Sequence, residues 1–328
     1  MFDTKPKVYR HFKNQGAVAT LLQEIKARHC RPYDYVVQDM TVQIREYFNQ
    51  CFSASKNPTR FSDRANNLIR ERCIVALSGG IDSCVVTALA VKALGTDSVL
   101  PVTMPARPGD PSLYYSQLLR HHLGFENDNS PYVIDIEPML NNHRVAMLQL
   151  DDQLQLGADY HSQTQEEKIR SGNFGSRIRI AMLYDLQRSI RGRILGTDNR
   201  TEYCQGYGTK YGTPMSYDYG VLNHLYKIDI YYIAKLLDLP QPILDAAPST
   251  GFFEGQTHEG ELGATLEEQD VISYLLFDKQ VPAEEIVSSY GVTPEFVALM
   301  QHRWNASDHK RLLSQGLPCV QLSTSMMM

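Results

Sequence analysis

The sequence CIVALSGGIDSCVVTALAVKALG, residues 73–95, decides the fold. Its first five residues are apolar, the next three are Ser-Gly-Gly, and a longer apolar-patterned segment follows at once. This order predicts a buried strand, a tight turn and then a helix that begins near Asp82 and ends near Leu94. Such a turn lies at the carboxyl end of its strand, which is where open α/β sheets bind their ligands.

The turn itself, SGGIDS at residues 78–83, has the composition of an anion-binding loop. Glycines let the backbone approach a bound group closely, and the N–H groups of a helix start attract phosphate. An aspartate in such a place indicates a cation, and Mg²⁺ between carboxylate and phosphate meets that need. A plain Gly-rich turn capped by Ser or Asp is the alternative, since neither the Walker A motif nor GxGxxG is present. The residues predicted to bind ATP here are Ser78, Gly79, Gly80, Asp82 and Ser83.

Strands and helices alternate through the middle of the chain. Strands are predicted, with helical segments between them, at residues 73–77, 98–104, 132–136 and 193–197. Because parallel strands need crossover connections, this pattern predicts an α/β fold with a doubly wound parallel sheet. We predict a single domain over residues 1–328, with a helical N-terminal extension over residues 1–60 and a mostly helical C-terminal region.

The composition is that of an ordinary globular protein, with 43% hydrophobic and 21% charged residues. A net charge of −5 argues against a general nucleic-acid or membrane-surface binder, so neither is expected as a partner. No apolar run has the length of a membrane span, and the N-terminus lacks the apolar core of a signal peptide. Six cysteines without a CxxC pair predict reduced thiols and a cytoplasmic location. The segment THEGE at residues 257–261 is not HExxH, so no zinc site is predicted.

Further motifs accompany the SGGIDS turn. They are SGNFGSRIR at residues 171–179, LGTDNRTEYCQGYGTKYG at 195–212, STGFFEGQTHEGELG at 249–263 and RWNASDHKRLLSQGLP at 303–318. SGGIDS resembles the signature of the N-type ATP pyrophosphatases, which cleave ATP to AMP and pyrophosphate. The whole set, in this order, resembles the NAD⁺ synthetases of that superfamily over residues 35–318.

The resemblance implies a role for particular residues. Asp82 and Glu202 would hold Mg²⁺, and Lys210 would neutralise charge on the leaving pyrophosphate. Thr197 and Met104 would contact ATP, with the adenine at the end of the second strand. The acceptor substrate would be bound by Asn173, Arg177, Lys210, Asp218, Lys227, His309 and Lys310.

The residues by themselves leave simpler roles open. Glu202 also suits a helix N-terminus, whose dipole favours an acid. Lys227 is nearly as well explained as a surface lysine, and Lys210 as a solvated loop lysine. Arg177 and Arg179 are two residues apart and point to different sides of a helix start, so we expect only Arg177 to face the nucleotide.

On this resemblance, the predicted activity is the ATP-dependent amidation of deamido-NAD⁺ to NAD⁺ with ammonia. The reaction would pass through an acyl-adenylate and release AMP and pyrophosphate. Ammonia is the expected nitrogen donor because a glutaminase domain with its nucleophilic cysteine would need a much longer chain. A homodimer is expected, and the predicted helices of residues 15–54 offer a contact for it.

Other activities remain open at this point. One is an amidoligase acting on a different carboxylic acid, and another is a nucleotide sensor without catalysis. A sulfur-transferring enzyme would use Cys84, at a helix start where the thiol pKa could fall, with Cys204 as its second thiol.

The chain departs from the family pattern directly after TKYG. It reads TPMSYDYG at residues 213–220, where the family has an acid and two glycines. Asp218 could replace one of the missing carboxylates from a shifted position. Because this loop is expected to meet the nicotinate half of the acceptor, the ATP half of the assignment is unaffected and the acceptor half is weakened.

Overall fold

Four parallel strands form the centre of the fold, in the order β2-β1-β3-β4. They are β1 (Cys73–Ala76), β2 (Val99–Val102), β3 (Arg193–Gly196) and β4 (Tyr219–Gly220). The structure is a computed structural model, and it describes residues 9–53, 72–125, 132–155, 164–213, 215–246, 260 and 263–311. The parallel pairing of every neighbouring strand confirms the predicted α/β class.

Helices cover the sheet and extend beyond it. The first group is α1 (Gln15–Ala27), α2 (Tyr33–Ser53), α3 (Ile81–Leu94), α4 (Pro111–His122), α5 (Glu137–Leu154), α6 (Gln165–Ile190) and α7 (Arg200–Gln205). The second group is α8 (Lys227–Leu236), α9 (Gln241–Asp245), α10 (Leu266–Ser273), α11 (Ala283–Tyr290), α12 (Pro294–Ala306) and α13 (Asp308–Arg311). A π-helical turn, Tyr274–Asp278, continues α10.

The strands are buried on both faces because their apolar residues alternate between two helical layers. Cys73 and Val75 of β1 belong to a core shared with α2, α3 and α8. Ile74 of the same strand and Ile194 of β3 belong to a second core with α6. Side chains that alternate in this way place helices on both sides of the sheet, which is the doubly wound arrangement.

One predicted strand is much reduced in the structure. Residues 132–136 were expected to form a strand, but only one parallel bridge, between Thr103 and Val133, is present. The backbone N–H of Ile134 donates to the carbonyl of Thr103 at 2.9 Å, so the segment follows the end of β2 without a regular ladder. The other predicted strands are observed within a few residues of their expected bounds, and helices lie between them.

The N-terminal helices are part of the same packed body. Val18, Leu21 and Ile25 of α1 are fully buried, and α1 packs against α10. Helix α2 packs against α3 and α8, and it contributes Ile44 and Phe48 to the core on that face. The division at residue 60 stays a prediction, and the described helices on its N-terminal side bury their apolar faces inside the chain.

The strand order sets the position of the site. β1 has β2 on one side and β3 on the other, so the chain reverses its direction of winding between β1 and β3. In open parallel sheets, ligands bind in the crevice that this reversal creates at the carboxyl ends of the strands. The residues after β1 and β3 therefore meet at one place.

Some sequence predictions concern residues outside the described ranges. They are most of the motif at residues 249–263, including all of its THEGE segment except Gly260, and the proline at the end of the motif at residues 303–318. Within the described residues, no helix is long and apolar enough to cross a membrane.

Candidate active site

The loop between β1 and α3 is held in a conformation that only glycine adopts easily. Gly79 has φ +81°, and a Cβ on it would lie 2.6 Å from the Cβ of Tyr115 on α4. The Ser78 and Ser83 hydroxyls are 3.1 Å apart, and the N–H of Gly80 donates to the Ser78 hydroxyl at 3.3 Å. The N-cap residue Gly80 has no side chain to occupy the first-turn amides of α3. This arrangement leaves the helix start available to an anion, while the binding of ATP by this loop stays a prediction.

Asp82, in the first turn of α3, has two side-chain partners from other elements. Its Oδ2 accepts from the ammonium of Lys227, the first residue of α8. Its Oδ1 accepts from the Nδ2 of Asn199 at 3.1 Å. Lys227 is only 2% exposed, so the alternative of a surface lysine does not hold.

Helix α7 begins directly after β3 with a capping box. The Oδ1 of Asn199 accepts from the N–H of Glu202 at 3.0 Å, and the Glu202 carboxylate accepts in return from the N–H of Asn199. Reciprocal bonds of this kind fix a helix start and the acid in its first turn. Asn199 is fully buried, and its side chain bonds both to the Asp82 carboxylate and to the backbone N–H of Glu202, so it fixes the position of one acid relative to the other.

The carboxylates of Asp82, Asp198 and Glu202 lie close enough for their negative charges to repel one another. Burial and the nearby charge of Asp82 raise the pKa of Asp198 to about 7, against the opposing effect of a hydrogen bond with Glu202. Burial and the charge of Asp82 together raise the pKa of Glu202 well above its usual range. The Lys227 ammonium is buried, but the carboxylates of Asp82 and Glu202 more than compensate and raise its pKa. Lys227 thus faces two of the three acids, Asp82 and Glu202.

These residues fit a divalent cation with oxygen ligands. The Oδ1 of Asp198 is buried and has no hydrogen-bond partner among the residues that the structure describes, which is costly for a carboxylate oxygen. Among the residues that the structure describes, no three acidic, His or Cys side chains form a ready-made metal site. Mg²⁺ typically uses one or two carboxylates and takes the rest of its ligands from phosphates and water.

Three of the predicted acceptor residues, Asn173, Arg177 and Lys210, lie on α6 and on the loop after α7. The Oγ1 of Thr209 donates to Asn173 at 2.6 Å, and the Nε of Arg177 donates to the carbonyl of Lys210 at 3.2 Å. Ser176 donates to the carbonyl of Thr213 at 2.7 Å. The structure therefore places Asn173 and Arg177 of α6 against the loop that carries Lys210, while their contact with a substrate stays a prediction.

The C-terminal residues hold the same loop from its other side. The ammonium of Lys310 donates to the carbonyls of Gly206 and Gly208 at 2.7 and 2.8 Å, and burial lowers its pKa. His309 is exposed, and its Nδ1 lies 3.1 Å from the carbonyl of Ala306 in the preceding helix. In this structure Lys310 anchors the loop, while a direct contact of either residue with substrate stays a prediction.

Asp218 lies beside the middle of β3. Its carboxylate accepts from the N–H of Ile194 at 2.8 Å and from the side chain of Gln187. The neighbouring Tyr217 places its ring on Gly196, where a Cβ would collide with it, and burial raises its pKa. The substrate role predicted for Asp218 stays a prediction, and its present partners belong to β3 and α6.

The predicted adenine region is formed by the end of β2. Met104 is buried, and its carbonyl accepts from the Nε of Arg179 at 3.0 Å. Arg177 and Arg179 point to different places, as their spacing predicted, and Arg177 is the exposed one of the two. Thr197 follows β3 directly and is half-buried.

The thiols differ from what sulfur transfer would need. Cys84 was expected to have a lowered pKa at the start of α3, but it is fully buried and burial raises its pKa. Burial also raises the pKa of Cys204 to about 12. The expectation was wrong because a helix start lowers a thiol pKa only where the thiolate is not desolvated.

Two important residues were not singled out from the sequence. Asn199 precedes Glu202 by three residues, and this N-x-x-E spacing is the signal of a capping box. Asp198 follows the end of β3 by two residues, where ligands are expected in an α/β sheet. Only the structure shows that Asp198 is buried with an unpartnered oxygen.

Comparison with known protein families gives one match that covers most of the chain. The family model described as NAD synthase matches residues 61–314. The NH(3)-dependent NAD(+) synthetase of Thermococcus kodakarensis is 36% identical over 243 residues, which are 74% of this chain and 87% of that protein. The protein of the same name from Pyrococcus furiosus is 31% identical over 79% of this chain and 92% of its own length.

Solved structures agree on the fold. The NMN synthetase from Francisella tularensis aligns with a TM-score of 0.62 and 25% identity, over 87% of this chain and 99% of that one. The NH3-dependent NAD synthetase from Campylobacter jejuni aligns with a TM-score of 0.61 and 23% identity, over 88% of this chain and all of that one.

Proposed function

Because the chain belongs to the NAD synthase family, we propose that it amidates deamido-NAD⁺ to NAD⁺ with ammonia and ATP. AMP and pyrophosphate are the other products. Relatives named NH(3)-dependent NAD(+) synthetases match over 87% and 92% of their own length, which supports ammonia as the nitrogen donor. The observation that carries the proposal is the anion-binding loop after β1, set beside a crowded carboxylate cluster after β3.

The reaction needs two displacements in sequence. A carboxylate oxygen of the acceptor attacks the α-phosphorus of ATP, the bond to the β-phosphate breaks, and pyrophosphate leaves. Ammonia then attacks the acyl carbon, loses a proton, and displaces AMP. Neither step needs a covalent bond to the protein, so the protein contributes positioning and electrostatic stabilisation.

The loop after β1 supplies the positions for the phosphates. The first-turn amides of α3 and the hydroxyls of Ser78 and Ser83 would hold the pyrophosphate portion. Lys227 is already fixed at this edge by Asp82 and would add positive charge there. Lys210, on the loop after α7, would meet the charge that develops on the leaving group.

Asp82, Asp198 and Glu202 are the residues that would hold Mg²⁺. Mg²⁺ would neutralise charge on the phosphates, and the Oδ1 of Asp198, which has no partner among the described residues, would be available as one of its ligands. The protein's own part is to hold these acids in place, which Asn199 does by contacting both Asp82 and Glu202.

A second acceptor is favoured by two observations. The loop at residues 213–220 lacks the acid and the two glycines of the family pattern, and the aligned Francisella tularensis protein is an NMN synthetase. The corresponding acceptor is nicotinate mononucleotide, which has the same nicotinate carboxylate without the adenylate half. The chemistry of both displacements would be unchanged.

We also propose a homodimer, and we place its contact on α5. No residue of α5 is buried, and Val145, Leu150 and Leu154 are 55%, 39% and 57% exposed. Helices α1 and α2, the contact expected from sequence, use their apolar faces in the chain's own core. Light scattering of wild type and of Leu154→Asp would test this contact.

The cytoplasmic location expected from the cysteines is likewise a proposal.

One assay tests the proposed function and its acceptor together. The enzyme is incubated with Mg-ATP and ammonium, with either deamido-NAD⁺ or nicotinate mononucleotide, and AMP, pyrophosphate and the amide are followed. We expect all three products in equal amounts, with a higher kcat/KM for deamido-NAD⁺. A higher value for nicotinate mononucleotide would establish the second acceptor, and no amide from either would contradict the proposal.

A further inference from the structure

We propose that the N-terminal segment contains a positioning element of the active site, formed by Arg28 and Tyr33 around the buried carboxylate of Asp229. Both residues lie before residue 61, where the match to the family model begins. The inference rests on the proposed function only for its kinetic readout.

Asp229 is completely buried and has partners on both oxygens. Its Oδ2 accepts from Arg28 at 2.6 Å, and its Oδ1 accepts from the hydroxyl of Tyr33 at 2.6 Å. The Nε2 of His29 lies 3.3 Å from the same Oδ1. These partners lower the pKa of Asp229 against the effect of burial, so the carboxylate stays ionised.

The same carboxylate fixes the first turn of α8. Oδ2 of Asp229 also accepts from the N–H of Tyr226, the N-cap residue, at 2.7 Å. Arg28 reinforces this arrangement, since its Nη2 also donates to the carbonyl of His224 at 2.8 Å. The guanidinium therefore connects the end of α1 to the segment that leads into α8.

Lys227 is the residue that this turn presents to the site. Its N–H donates to the hydroxyl of Thr201 on α7 at 3.0 Å, and the next N–H, of Ile228, donates to Asp270 at 2.9 Å. The side chain then reaches Asp82 across 145 residues of sequence. With its backbone held on one side by Asp229 and on the other by α7 and α10, Lys227 has little freedom.

A buried charge that loses its partner is destabilised and draws in water or moves. Without Arg28, the Asp229 carboxylate would keep only neutral donors and His29, and the first turn of α8 would relax. The Lys227 ammonium would then shift relative to Asp82 and the phosphate loop. Small displacements of a charged group cost rate because the group no longer matches the transition state.

The test compares Arg28→Ala and Tyr33→Phe with two matched controls. Arg31→Ala removes the same charge three residues away, where the arginine is 61% exposed and its partner Asp39 is 54% exposed. Tyr35→Phe removes a hydroxyl from a tyrosine that is 52% exposed. Each variant is measured for melting temperature, for the Kd of Mg-ATP by calorimetry, and for kcat and KM well below melting.

We expect Arg28→Ala to lower kcat at least tenfold and to raise the Mg-ATP Kd several-fold, with the KM for the acceptor within twofold. Tyr33→Phe should show the same pattern at a smaller size, and both controls should match wild type. Wild-type kcat and Kd in folded Arg28→Ala and Tyr33→Phe would overturn the proposal.

A double variant shows whether the effect passes through Lys227. In the Lys227→Gln background, Arg28→Ala should change the Mg-ATP Kd and kcat by less than twofold, because the positioned group is already gone. A loss of the same size in that background would overturn the proposal. If wild type forms no amide, the proposed function fails, and the Mg-ATP Kd still decides this inference.

Discussion

Two loops lie at the same edge of the sheet: the phosphate loop after β1, residues 78–83, and the acceptor loop after α7, residues 206–213. Different kinds of contact hold them. Around the phosphate loop the contacts are buried side chains, with Asp82 bonded to Lys227 and Asn199. The acceptor loop is held mainly through its backbone carbonyls, by Arg177 from α6 and by Lys310 from α13.

This difference indicates which of the two loops tolerates substitution better. Contacts to the carbonyls of Gly206, Gly208 and Lys210 do not depend on which side chains the loop carries. Contacts between buried charges depend on each partner, and replacing one leaves the other unpaired. We therefore expect nucleotide binding to be sensitive to single substitutions and acceptor binding to respond more gradually.

The largest effect is expected for Asp82→Asn. It weakens the pairing of the buried Lys227 and removes a carboxylate from the cation site, so kcat should fall by about 10²–10³. Asp34→Asn is the control, since Asp34 is the exposed second residue of α2 just as Asp82 is the second residue of α3. Product formation by both variants is followed as AMP. A loss of less than tenfold for Asp82→Asn would count against the charge cluster.

The next effect is expected for Gly79→Ala, compared with Gly95→Ala. Both glycines have φ +81°, but a Cβ on Gly79 meets Tyr115 and a Cβ on Gly95 meets nothing within 4 Å. Backbone strain alone should cost about 1 kcal/mol of unfolding free energy, and strain with overpacking about 2–4 kcal/mol. Urea unfolding measures both. Equal losses would show that the phosphate loop is no more tightly packed than the end of α3.

A smaller effect concerns pH. Asp198 has a folded-state pKa of about 7, and an unfolded Asp titrates near 3.9. The folded state therefore holds more protons between these values, and this group's contribution to stability, full below about pH 4, is lost as pH rises through about 7. Asp198→Asn should flatten the fall in unfolding free energy between pH 5 and pH 8 by about 2–3 kcal/mol, measured without divalent cations. An unchanged slope, or the same flattening in the exposed control Asp245→Asn, would contradict the assignment.

The smallest effect is expected in the acceptor loop. Arg177→Ala removes one hydrogen bond to the Lys210 carbonyl, which is worth about 1 kcal/mol, or roughly fivefold in kcat/KM for the acceptor. Arg188→Ala, an exposed arginine on the same helix, is the control. Steady-state kinetics with deamido-NAD⁺ decide the outcome. A loss above a hundredfold would mean that Arg177 contacts the substrate itself.

The sequence was a good guide wherever the signal was local. The strand, glycine turn and helix at residues 73–95 are formed as predicted, because period-two and period-3.6 patterns and turn chemistry act over a few residues. The strand predicted at residues 132–136 was wrong in extent, since an apolar run does not by itself secure a pairing partner. The cysteine prediction was wrong for a related reason, because the burial of Cys84 depends on distant elements.

What the sequence determined by itself is the α/β alternation, the anion-binding turn and the family motifs. The tertiary structure alone decided that Asn199 meets Asp82 across 117 residues, and that Lys227 is buried against that aspartate. It also decided that an arginine near the end of α1 supports the start of α8 through Asp229. Local patterns set the elements, whereas the pairing of buried charges depends on which elements pack together, and that is fixed only when the whole core forms.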